Sequence, residues 1–139
     1  MKILIAADGS KFTTQAVNYL VKHGDQFGAA ALTLLNVHRS IPGRAAAHLG
    51  RDIVQGYYAD ECKKALEPAR RALKKAGITF TDTWEVGDPG DEIAAFAAKG
   101  KFDLVVMGSH GHGVLVNLVL GSVATRVLAG CKVPVLVIR

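Results

Sequence analysis

The chain has 139 residues and a mass of 14.7 kDa, enough for one ordinary domain and too little for two independent cores. Half of the residues are hydrophobic, 21% are charged, and Gly and Pro number 15 and 4, which excludes a collagen-like or disordered chain. Seventeen Lys and Arg against twelve Asp and Glu leave a net charge of +5, a mild bias toward an anionic partner, while the few scattered aromatics argue against a single-stranded nucleic-acid platform.

Lys2 to Ala7 is a short aliphatic run that meets Asp8-Gly9-Ser10, which predicts a buried strand and a turn. Its apolar residues are too few for a secretory signal or a membrane span, and the later run 114–120 is interrupted by Asn117. From Phe12 to Gly24, residues Ala16, Val17, Leu20 and Val21 recur at helical spacing, with Ser10 or Thr13 as N-cap and Gly24 as the stop. Residues 31–37 form a second strand. Residues 38–50 hold Pro42, Gly43 and Gly50 without a clear period, and the expectation there is a flexible loop that covers a ligand site. A helix follows from about Ile53 to Ala76, with Pro68 predicting a kink or a break because it lacks a backbone donor. On that helix Lys63, Lys64, Arg70, Arg71, Lys74 and Lys75 read as a solvated face, with Glu61 and Glu67 available for ion pairs, and a nucleic-acid partner is not expected.

The second half repeats the alternation. Ile78 to Val86 reads as a strand, 87–90 as a turn, Asp91 to Lys99 as a helix, Phe102 to Met107 as an aliphatic strand, Gly108 to Gly113 as a glycine loop, Gly121 to Gly130 as a helix and Val133 to Ile138 as a last strand. Five aliphatic strands alternating with four helices predict an α/β fold, a doubly wound parallel sheet covered on both faces, in a single domain over 1–139. Cys62 and Cys131, far apart and outside any CxxC, suggest a reducing cytoplasmic setting.

In a doubly wound sheet the ligand crevice lies beyond the carboxyl ends of the strands, where the winding reverses. In the strand order 3-2-1-4-5, the loops after the first and fourth strands would be neighbours at that point. The fourth loop brings Gly108, Gly111 and Gly113 within six residues, and Gly121-Ser122 open the following helix. Glycines permit positive φ and close backbone approach to an anion, and a helix start adds unpaired amides and the positive end of the dipole, so a phosphate site is expected. The spacing is neither Walker A nor the dinucleotide fingerprint. From Ser109 to Arg139 the chain has Arg126, Lys132 and Arg139 but no Asp or Glu, which suits an anion.

Gly108-x2-Gly111-x9-Gly121-Ser122, followed by VATRVLAG and CKVPVLVIR, resembles the nucleotide-binding signature of the universal stress protein family, ATP-binding subgroup. The openings KILIAADGS and LLNV, with VGDPGDEI and FDLVVMGSHG, extend the resemblance over the whole chain. It implies the strand order 3-2-1-4-5 and often a homodimer. Carried over by residue, Asp8 would bond the ribose, Ala6 and Val37 would line the adenine pocket, and Met107 would border it. Gly108, Gly111, Gly121, Ser122 and Val123 would contact the phosphates, with Gly113 in the same loop. The implied ligand is ATP, with any Mg²⁺ held mainly by its phosphates. One departure is that residues 112–120 contain no Lys or Arg where the family often places one.

Each residue also has a plainer role. Asp8 could start a turn or cap a helix, Gly111 and Gly113 could serve loop geometry alone, and Ser122 could be an N-cap. His110 and His112 lack a third metal ligand nearby in sequence. Ser109 and His110, as adjacent side chains, are not expected to reach the geometry of a nucleophile and its base. The expected function is therefore a regulatory adenine-nucleotide-binding module in a stress response, without efficient catalysis. A slow ATP or adenylate hydrolase and a dimeric interaction protein that binds no nucleotide are the alternatives. The apolar strand 133–138, placed at the sheet edge with Pro134 near its start, is expected to pair with a second copy.

Overall fold

The computed structural model describes residues 1–113 and 117–139; the expectations that fall on 114–116, within the run 114–120 and the stretch 112–120, lie partly outside them. Its strands are β1 (Lys2–Ala6), β2 (Ala31–His38), β3 (Phe80–Val86), β4 (Leu104–Gly108) and β5 (Val135–Ile138), all parallel in the order β3-β2-β1-β4-β5. The helices are α1 (Lys11–Lys22), α2 (Gly24–Phe27), α3 (Gly43–Leu49), α4 (Arg51–Lys75), α5 (Pro89–Lys99) and α6 (Ser122–Gly130).

Successive residues of β1 point to opposite faces, which divides the core into two layers. Ile3, Ile5 and Ala7 pack with Ala16, Val17 and Leu20 of α1 and Leu66, Ala69 and Leu73 of α4. Leu4 and Ala6 pack with Ile93 and Ala97 of α5 and Ala124 and Val127 of α6. The sheet is thus buried on both sides, the condition that lets β1 and β4 run without alternating polar residues.

The five strands and their order agree with the sequence reading, and six described helices replace the expected four. Residues 43–49 are helical, not a flexible loop; the tract Arg44-Ala45-Ala46-Ala47 supplies strong helix formers, and Pro42 precedes the first turn. The helix α1 stops at Lys22, not Gly24, and α2 starts at that glycine. Pro68 lies inside α4 without breaking it, because Leu66, Ala69 and Leu73 around it are all buried against the sheet and outweigh one lost backbone bond. Of the six basic residues singled out on α4, three are engaged by acids: Lys64 pairs with Glu61, Arg71 with Glu67, and Arg70 bonds Asp82 of β3 at 2.6 Å. The hydrogen bond from Arg70 holds the Asp82 carboxyl below its ordinary range.

Both β1 and β4 deliver their carboxyl ends side by side, with Ile3 beside Leu104 and Ile5 beside Val106. The chain turns away in opposite senses there, with β2 on one side and β5 on the other. The reversal opens a cleft.

Candidate functional site

The first wall of the cleft is the β1–α1 loop. Gly9 has φ +79, and a Cβ there would come 3.2 Å from the backbone of Ala65 in α4, so the turn needs glycine on both counts. Asp8 organises the rest: its Oδ1 accepts from the Ser10 amide at 2.9 Å and from the Thr13 hydroxyl at 2.8 Å. The Thr13 oxygen in turn accepts from the Asp8 amide at 3.1 Å, and the Ser10 hydroxyl caps α1 by accepting from the Thr13 amide. Asp8 therefore does serve the turn. Its Oδ2 makes no hydrogen bond among the described residues and faces Gly111, where a Cβ would lie 2.9 Å away.

The second wall is the loop from β4 to α6. Ser109 is 1% exposed and anchored at both ends of its backbone, donating to Ile138 at 2.7 Å and accepting from Gly121 at 2.7 Å. That last bond draws Gly121 so near that a Cβ on it would lie 3.2 Å from the His110 Cα and 3.3 Å from the Ser109 carbonyl. A Cβ at Gly108 would lie 2.5 Å from the Phe12 Cβ and 2.8 Å from its carbonyl carbon, so this glycine lets α1 settle on β4. At Gly113 a Cβ would meet no described residue within 4 Å. None of these four glycines has the positive φ expected of them; what three of them supply is close approach.

The two histidines are fastened. His112 Nε2 donates to the Asp8 carbonyl at 2.7 Å and so ties the two loops together. His110 Nε2 donates to the Leu118 carbonyl at 2.8 Å, which leaves Nδ1 to accept from the Ser109 hydroxyl at 2.8 Å. This corrects the expectation that adjacent Ser109 and His110 would not meet. The serine is nevertheless buried, and its imidazole is oriented by a backbone carbonyl instead of a carboxylate, so the pair reads as an internal brace.

All ten residues singled out in the sequence, Ala6, Asp8, Val37, Met107, Gly108, Gly111, Gly113, Gly121, Ser122 and Val123, line one cleft of about 460 Å³. That size lies within the range of small-molecule pockets. Part of its wall is apolar, where Ala6, Leu35, Val37, Ile93 and Met107 share a cluster. The start of α6 also lines it; Gly121 is the N-cap there and the first amides have no acceptor within the helix. Ser122 is therefore the first helical residue, not the cap. Asn36 of β2 also lines the cleft and donates to the Ala7 carbonyl at 2.7 Å. Arg39, Pro89 and Ile93 also line the cleft and went unnoticed in the sequence, since nothing in their spacing marks them; only the position of residues 36–39 at the carboxyl end of a strand could have done so.

A second opening of about 610 Å³ adjoins the first and shares Arg39, Leu118, Ser122 and Val123 with it. On its rim Arg126 holds Asp91 through two bonds of 2.7 and 2.9 Å, and the guanidinium keeps that carboxyl below its usual range.

A sequence profile of the universal stress protein family matches residues 1–139. Universal stress protein MJ0531 of Methanocaldococcus jannaschii is 30% identical over 138 residues, covering 99% of this chain and 81% of its own. The solved structure of MJ0577 superposes with a TM-score of 0.83 at 28% identity, over 99% of this chain and 94% of the other. A universal stress protein solved in complex with cAMP has a TM-score of 0.72 at 24% identity, over 100% and 97% of the two chains.

Proposed function

The chain belongs to the universal stress protein family, and on that premise we propose that it is a regulatory module that binds an adenine nucleotide, ATP first among them, in the cleft between β1 and β4. The observation that carries this reading is the cleft itself, whose wall combines an apolar cluster, an unengaged Asp8 oxygen and the first amides of α6, which have no acceptor within the helix. Adenine, ribose and phosphates need those three chemistries. Ala6, Val37 and Met107 take the base, Asp8 Oδ2 accepts from a ribose hydroxyl, and the backbone around Gly111, Gly121, Ser122 and Val123 receives the phosphates. Gly108 contributes by letting α1 close on β4, and Gly113 lines the same loop. A magnesium ion would be held mainly by the phosphates. The fold relative bound to cAMP supports the class of ligand.

Binding, with little turnover, is favoured because Ser109 is sealed from the cleft and no described carboxylate orients His110. The module acts in the cytoplasm as one domain over 1–139 and as a homodimer through β5, whose Val135, Leu136, Val137 and Ile138 are all half-buried at the sheet edge. No described helix is long and apolar enough to cross a membrane. Heat denaturation of the purified protein followed by chromatography tests the ligand: release of an adenine nucleotide is expected. Failure to release one, together with a flat titration by ATP, AMP and cAMP, refutes the reading. Light scattering at tens of micromolar tests the dimer, and a monomer there refutes the edge pairing.

A further inference from the structure

The cleft would receive several negative charges, yet among the described residues Arg39 is the one Lys or Arg on its wall. It comes from an element unrelated to the glycine loop, the segment that follows β2. Its backbone is fixed, because His38 Nδ1 donates to the Arg39 carbonyl at 2.7 Å and the Ile41 amide donates to the buried Tyr58 hydroxyl at 2.7 Å. The side chain is held far less. It is 64% exposed, and its one hydrogen-bond partner among the described residues is the Asp88 carboxylate, at 3.4 Å, the outer limit of a hydrogen bond. Asp88 does not depend on it, since the same carboxylate caps α5 by accepting from the Asp91 amide and lies 3.5 Å from Arg126. Arg39 thus stands with Ser122 and Val123 around the opening that joins the two clefts, parked on a weak partner.

We infer that Arg39 is the phosphate-selecting residue of the site: it leaves Asp88 to pair with the outer phosphates of the nucleotide, so the cleft favours a nucleoside triphosphate over the monophosphate. This rests on the adenine-nucleotide reading above. A guanidinium matches a phosphate bidentately and exchanges a long, solvent-screened contact with a carboxylate for a short one with a group of higher charge. The adjoining opening gives the outer phosphates room on the Arg39 side. The residue also answers the lack of Lys or Arg in 112–120, since it brings the missing charge from the opposite wall.

Calorimetric titration of the full chain with ATP, AMP and adenosine tests the inference, in the unmodified protein and in Arg39→Gln and Asp88→Asn. Asn keeps the capping role at position 88, so the second variant frees Arg39 without uncapping α5. In Arg39→Gln, ATP affinity should fall about tenfold while adenosine stays within about twofold. In Asp88→Asn it should rise by about threefold, because the competing carboxylate is gone. Raising the salt should narrow the ratio of ATP to adenosine affinity in the unmodified protein and leave it flat in Arg39→Gln. An unchanged ATP to adenosine ratio in Arg39→Gln overturns the role of Arg39 while leaving the nucleotide site intact. Equal losses for ATP and adenosine overturn it as well, since the side chain would then shape the cleft. If the unmodified protein takes up none of the three ligands, the nucleotide reading itself falls.

Discussion

The two loops that meet at the cleft lean on different means. The β1–α1 loop is held chiefly by side chains: Asp8, Ser10 and Thr13 satisfy one another and the first amides of α1 within six residues. The β4–α6 loop adds close contact to its Ser109, His110 and His112 bonds, since Gly108, Gly111 and Gly121 each leave a gap that another residue fills to within 3.2 Å of where a Cβ would be. A loop built on hydrogen bonds tolerates loss of one bond at moderate cost. A loop built on contact has no room to yield. The surface proposed for the ligand lies where the two meet, at Asp8 Oδ2 and Gly111.

The largest effect is expected at Gly108. A methyl there would overlap the Phe12 Cβ and its backbone carbonyl carbon, and backbone cannot swing aside as the tip of a side chain can. Gly108→Ala should destabilise the protein by about 3 kcal/mol, the upper range of core overpacking. Chemical denaturation measures it, and a loss below about 0.5 kcal/mol would mean that α1 can lift off β4 freely.

Gly111 should separate stability from binding. Its added methyl would meet the end of the Asp8 side chain, which can turn aside only by loosening its Oδ1 bonds to Ser10 and Thr13, so Gly111→Ala should cost about 1 kcal/mol, less than Gly108→Ala. The rotation takes Oδ2 from the position facing the cleft, and adenosine affinity should drop about tenfold, or about 1.4 kcal/mol. Retention of full affinity in the folded variant would exclude Asp8 from the ribose.

Thr13 tests the other loop. Thr13→Ala removes two hydrogen bonds to Asp8, one each way, and should cost about 1 kcal/mol. Thr13→Ser, which keeps the hydroxyl, should restore most of it. Equal losses in both variants would show that the buried methyl matters and the hydroxyl does not.

The same contrast governs what the sequence could disclose. Aliphatic runs such as residues 102–107 announce buried parallel strands directly, and a glycine series with Gly-Ser at its end announces a glycine loop running into a helix start that lines the cleft. Close approach is invisible along the chain. Nothing near Gly108 names Phe12 as the neighbour it accommodates, and positive φ, the usual reason for a glycine, is not the reason here. The helix at 43–49 is hidden in the sequence because Pro42, Gly43 and Gly50 punctuate its ends and mask the helix-forming interior. The bond from Ser109 to His110 depends on Leu118, eight residues beyond the imidazole, and on a ring turned by that carbonyl.

Gly113 is the exception within its own loop, and the smallest effect is expected there. It lines the cleft, but among the described residues a Cβ would meet nothing within 4 Å, and its φ is not positive, so neither described packing nor backbone conformation demands a glycine. Gly113→Ala should leave stability within about 0.5 kcal/mol, as for a surface substitution. The variant therefore isolates the one remaining reason for a glycine, a ligand that comes close to its backbone. If ATP and adenosine both bind as in the unmodified protein, the phosphates stay nearer α6 and Gly113 belongs to the loop alone. If ATP weakens while adenosine does not, the outer phosphates pass over residue 113, and the β4–α6 loop contributes one glycine to the ligand and the others to its own closure.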